Sequence, residues 1–283
     1  MLALFGGLLA LGIGIVLLVD ENPSLAPDSA YYLAAAGGER VPIPFAYRWY
    51  LPTLLGAVHN RWRVVTFLSI AVQGAALAVY AQDLRAVILV GLLPALWRFS
   101  LRHPILVDAP AMAAALCGAA VWTVCPHDWP TIVLIVTMAF LSGGMRETAP
   151  IWMAVYCWSP WPLIGVLGIL PGALLARKVD PGQDNLWIVH PVESALKARR
   201  RHWLAWQMVV VPWGVLLPLA VWHSTPRVWL ALALGHLPWL ATSDWNRIAA
   251  WAAPVLAVAA LSWQSDLWPL LLLIHVFNPY RGA

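Results

Sequence analysis

Ionisable side chains are what this sequence has least of. Asp, Glu, Lys and Arg make up 11% of its 283 residues, against roughly 25% in a soluble globular domain. That scarcity excludes an ordinary soluble domain. It also leaves no basic region for nucleic acid, because the residues behind the net charge of +4 lie beside apolar runs. Cysteine is scarce too: Cys117, Cys125 and Cys157 have no ligand spacing and read as packing residues. The eight histidines show no metal-ligand spacing. No internal repeat, low-complexity tract or appended soluble domain breaks the chain.

What is present is hydrocarbon. Apolar residues make up 61% of the chain, and apolar runs recur from end to end. Backbone groups in lipid must bond within their own segment or in a closed barrel. Runs such as Leu8–Val19 and Ile132–Leu141 do not alternate as barrel strands would, so helices are expected. The 19 tryptophans suit membrane–water interfaces, and the 23 prolines are tolerated in membrane helices. The expected fold is an all-α, multi-pass transmembrane bundle of about 9–11 spans forming a single domain over 1–283. Expected spans are 3–19, 64–81, 86–98, 109–124, 130–144, 148–158, 161–175, 203–222, 228–242, 248–263 and 267–278. Segments 148–158 and 161–175 are alternatively one span kinked at Ser159-Pro-Trp-Pro162. Met1–Val19 lacks a basic start and reads as a retained span, not a signal peptide. Two long polar segments remain, 20–63 and 176–202.

On this count the charges fall mostly on one side. Alternate loops hold Asp28, Arg48, Asp108, Arg146, Glu147, Arg199–Arg201, Asp244 and Arg247. The others hold little beyond Asp83, Arg85, Asp128, Arg227 and Asp266. Short loops rich in Lys and Arg normally face the cytoplasm. The alternative is that these arginines bind an anionic substrate and escape that rule.

Several residues stand out, each with a plainer reading beside the functional one. Pro27-Asp28-Ser-Ala opens a short helix that Gly37-Gly38 closes, so Asp28 is either an N-cap or a functional acid. Tyr32, four residues on, shares its helix face. Asp20-Glu21 are rival acids that also read as a solvated helix end. Asp108 precedes Pro110 and could start a helix, yet an acid at the mouth of an apolar span is a functional candidate. Arg146 and Glu147 are adjacent, so they diverge on a helix and should meet groups from other loops. Asp244 and Arg247 are spaced for a local pair. Lys197–His202 reads as a head-group-binding basic run.

Taken together, these residues resemble bacterial members of the GT-C glycosyltransferase superfamily. The resemblance rests on Asp28/Tyr32, on Pro44/Arg48/Pro52 and on Pro104–Ala109. Arg146-Glu-Thr148 and the actinobacterial-type Ala241–Arg247 stretch complete it. It covers about residues 1–260. It implies sugar transfer from a polyprenyl-phosphate donor to a lipid, glycan or protein acceptor, at the extracytoplasmic face of a bacterial plasma membrane. By position it makes Asp28 the general base and Asp108 a second acid, which binds Mg or Mn in some members. Arg48, Arg146 and Arg247 become ligands of the donor phosphate, with Tyr32, Glu147 and Asp244 in support. The rival class is a non-catalytic carrier-binding protein: a transporter or flippase of polyprenyl-linked sugars, or a membrane scaffold.

Overall fold

In a computed structural model, residues 1–19, 24–42, 45–175, 213–214, 216–237, 249–263 and 268–269 are described. They are all-α, with no β-strand among them. The first helix, α1 (Leu2–Val19), runs antiparallel along α4 (His59–Ala81). Small residues four apart set this crossing. A Cβ at Gly6 would stand 2.6 Å from both Ala78 Cβ and the Gly74 carbonyl oxygen, and one at Gly74 would press on Ala10. Such facing small-residue pairs let two backbones touch where apolar burial gives helices no preference for each other over lipid.

Between them lie α2 (Pro27–Ala36), a 3₁₀ turn at Phe45–Tyr47 and α3 (Tyr50–Leu55). At 23 residues, or ~34 Å, α4 is the one described helix long and apolar enough to cross a membrane by length and composition. The other apolar helices are shorter, and among them α1 and Asp108–Val124 pack against α4.

The expected span 86–98 is not one helix. It is α5 (Arg85–Gly91), a π-helical turn at Pro94–Arg98 and α6 (Phe99–Arg102). Pro94 has no N–H to continue the ladder, so the chain bends there. The bend returns Trp97 onto Gly91, where a Cβ would collide with the indole ring, and leaves Trp97 buried.

Helix α7 (Asp108–Val124) is the central element, rich in Ala and buried along most of its length between α4, α8 (Trp129–Met145) and α9 (Ala149–Cys157). Asp128 caps α8 by accepting from Thr131 N at 3.1 Å. Segments 148–158 and 161–175 are separate helices, not one kinked span. Trp158 takes the left-handed conformation (φ +52°) that ends α9. A 3₁₀ helix (Trp161–Ile169) then leads into α10 (Leu170–Leu175) and returns against α8. Gly165 and Gly168 permit that return, their missing side chains giving way to the backbone of Ala139 and Gly144.

Among the described residues three further helices follow: α11 (Leu216–Trp222), α12 (Pro226–His236) and α13 (Ala253–Leu261), the last preceded by a 3₁₀ turn at Ala250–Ala252. Residues 203–212 of the expected span 203–222, most of 267–278 and the polar segment 176–202 lie outside the described residues, and α11 covers the end of 203–222.

Polarity is arranged inside out. Leu4, Phe5, Leu8 and Val16 of α1, Val64 and Leu68 of α4, and Val133 of α8 are exposed. Arg48, Thr66, Gln73, Ser100, Asp108, Ser142 and Arg146 are buried.

Candidate functional site

Two ion pairs, built from three distant segments, form the polar centre. Arg48 follows the Phe45–Tyr47 turn and is buried. Its Nε and one Nη donate to the two carboxylate oxygens of Glu147 at 2.9 and 2.8 Å, a bidentate fork. The other Nη donates to Tyr32 Oη at 2.6 Å, and the Phe45 ring centroid lies 5.4 Å from the guanidinium carbon. Tyr32 is held edge-on to Phe45 and against Trp62. The first polar segment is thereby stapled to the α8–α9 junction.

The second pair joins Arg146, at the end of α8, to Asp108 in the first turn of α7. Both are almost fully buried. Arg146 Nε also donates to Thr148 Oγ1 at 3.2 Å, and Trp251 lies 5.9 Å from the guanidinium carbon. As their adjacency predicts, Arg146 and Glu147 point to different partners, each from another segment.

Charges alternate across the group: Arg48 with Glu147, Arg146 with Asp108. Burial on its own would raise the Glu147 carboxyl, but Arg48 foremost and then Arg146 hold it down at about 2, against an ordinary 4.5. Arg48 moves the other way. Burial would ease its proton off, and Glu147 and Tyr32 outweigh that and raise it.

Neutral polar residues hold the acidic end of α7 in place. Gln73 of α4 donates to the Ala109 carbonyl and accepts from Trp97 Nε1, both at 2.8 Å. Thr66 donates to the Pro104 carbonyl at 2.8 Å, and Ser29 donates to the Ile105 carbonyl at 3.1 Å. The backbone N–H of Ser24 donates to the Arg102 carbonyl at 2.8 Å. Sequence reasoning missed Gln73, Thr66, Ser29, Trp97 and Trp251. Gln73, an amide in the apolar stretch of α4 beyond its polar first turn, was the available signal.

Asp28 lies in the first turn of α2, where an acid is favoured by the helix dipole. It is not the N-cap, because α2 starts one residue earlier at Pro27 and the cap position is Ala26, with no side-chain hydrogen bond. Asp108 likewise is not a cap: it opens α7, and Val107 holds the cap position. Asp28 is tied to both halves of the centre through its neighbours. Ser29 bonds the strip leading to Asp108, and Tyr32, one turn on, bonds Arg48. Asp244, Arg247, Asp20-Glu21 and Lys197–His202 lie outside the described residues.

The charges of the opposite loops have structural work. Asp83 accepts from Arg85 N at 2.8 Å and from its guanidinium. Arg227 donates to the Val155 carbonyl at 2.9 Å and to Tyr80 Oη, binding α12 to the ends of α9 and α4.

No family model, curated protein or solved structure matches this chain. Arg146 pairs with the Asp108 carboxylate, and among the described residues no three His, Cys, Asp or Glu side chains come together.

Proposed function

We propose that this chain is a multi-pass membrane glycosyltransferase of GT-C type, moving a sugar from a polyprenyl-phosphate donor onto an acceptor hydroxyl at the membrane surface. What supports membrane embedding is the inside-out polarity, with an exposed apolar exterior around buried charges. What supports the activity, and carries the reading, is the gathering of Arg48, Glu147, Asp108 and Arg146 beside the helix that bears Asp28.

In the proposed reaction Asp28 takes the acceptor hydroxyl proton. The acceptor oxygen bonds the anomeric carbon as the bond from that carbon to the phosphate oxygen breaks, and the carrier leaves as a phosphate anion. Arg48 and Arg146 are the cations nearest that developing charge. Glu147 and Tyr32 take three of Arg48's five N–H groups, so the fork retains capacity for a phosphate oxygen. Arg247 and Asp244 keep the roles the resemblance gives them. Asp108 orients Arg146.

One observation favours the second reading, carrier binding or scaffolding without transfer. Both arginines already have carboxylate partners, so the group is close to neutral as it stands. Replacing Asp28 with Asn separates the two. Loss of sugar transfer by purified protein, with carrier binding intact, supports the enzyme; transfer at the wild-type rate would overturn it.

A further inference from the structure

On the flank of the bundle, away from the charged centre, a groove of about 420 Å³ runs between the end of α1, the first turns of α4 and the segment after α6. That is within the size range of small-molecule sites. Leu18, Val64, Leu68, Leu101 and Pro104 are among its walls, and Arg63 is the one charged residue among the described residues that line it. None of Asp28, Arg48, Asp108, Arg146 or Glu147 lines it. None of the residues proposed for transfer would touch a molecule lying there, so the groove is distinct from the proposed transfer site.

Two features say what would cover it. Leu18, Val64 and Leu68 are themselves exposed, so the groove opens sideways, where a bilayer would meet the helices. Arg63 is exposed, and among the described residues it has neither an acid nor a hydrogen-bond acceptor. A hydrocarbon trough with an exposed guanidinium at its edge matches a lipid that carries its negative charge at the head.

We propose that this groove holds one acyl chain of an anionic glycerophospholipid, with the lipid phosphate on Arg63. The site rests on the membrane reading given above. Its occupant would lie against Pro104, whose carbonyl accepts from Thr66 four residues before Asp108. The lipid would therefore buttress the strip that enters the charged centre.

The test is native mass spectrometry of the detergent-extracted full chain, titrated with phosphatidylglycerol, phosphatidylcholine or inorganic phosphate. Wild type should retain one phosphatidylglycerol in preference to phosphatidylcholine, and inorganic phosphate should not displace it. Arg63→Gln should cut that preference about fivefold, the weight of one basic residue at a lipid surface. Arg61→Gln, off the groove, should leave it unchanged. Leu68→Trp, at a site 55% exposed and so tolerant of bulk, should abolish retention by filling the trough. Unchanged preference in Arg63→Gln, retention in Leu68→Trp, or displacement by inorganic phosphate would each overturn the assignment. A chain recovered in the aqueous fraction without detergent would instead defeat the membrane reading itself.

Discussion

Arg48 holds Glu147 by two parallel hydrogen bonds, at 2.9 and 2.8 Å, across 99 residues of chain. A lysine is a point charge and cannot reproduce the fork. Arg48→Lys should therefore lose one arm to Glu147 and the contact to Tyr32. The expected loss is about 1.5–3 kcal/mol, the range for hydrogen bonds to charged groups. Thermal unfolding in detergent measures it, and an unchanged melting temperature would show the staple to be idle.

The same pair sets an acid response. Because the folded carboxyl of Glu147 lies near 2, below its ordinary 4.5, its contribution is fully present above about pH 4.5. It fades as pH falls from there toward 2. Stability measured across that window should decline in wild type and decline less in Glu147→Gln. Parallel curves for the two proteins would count against the assignment.

Asp108 and Arg146 are buried together, so removing one leaves the other charged in a poor medium. Asp108→Asn and Arg146→Leu should each destabilise by about 3–5 kcal/mol. The double variant Asp108→Asn with Arg146→Leu should cost less than the sum of the two. A double-mutant cycle on denaturation midpoints checks this, and simple additivity would show that the residues act independently.

Bulk at the α1–α4 crossing should be poorly tolerated. Gly74→Leu places a side chain where Ala10 and the Gly6 backbone already stand. Overpacking of this kind costs typically 1–3 kcal/mol. Leu4→Ala, on the exposed side of α1 at 63% exposure, should change the melting temperature little. Equal losses in the two variants would mean the crossing is not set by its small residues.

Helix type and most helix positions were legible in the sequence because both are local properties. Apolar runs, Asp128 before Trp129-Pro130, and the Gly37-Gly38 stop are read from neighbours a few residues apart, and α1, α2, α7, α8 and α9 begin and end close to where those signals fall. The break in 86–98 was less legible. Pro94 marks it, but only the pocket left by Gly91 shows why Trp97 turns inward. Trp158 likewise separates two helices through a left-handed turn that its residue type does not favour.

By itself the sequence determined that the chain is helical, that charge is rare, and that Asp28, Arg48, Asp108, Arg146 and Glu147 are the ionisable groups to watch. Only the tertiary structure decided who meets whom: Arg48 takes Glu147, Arg146 takes Asp108, and Asp28 is no cap. The reason is physical. A buried charge must find its counter-charge, and separations of 38 and 99 residues are bridged by helix packing, about which local pattern carries no information.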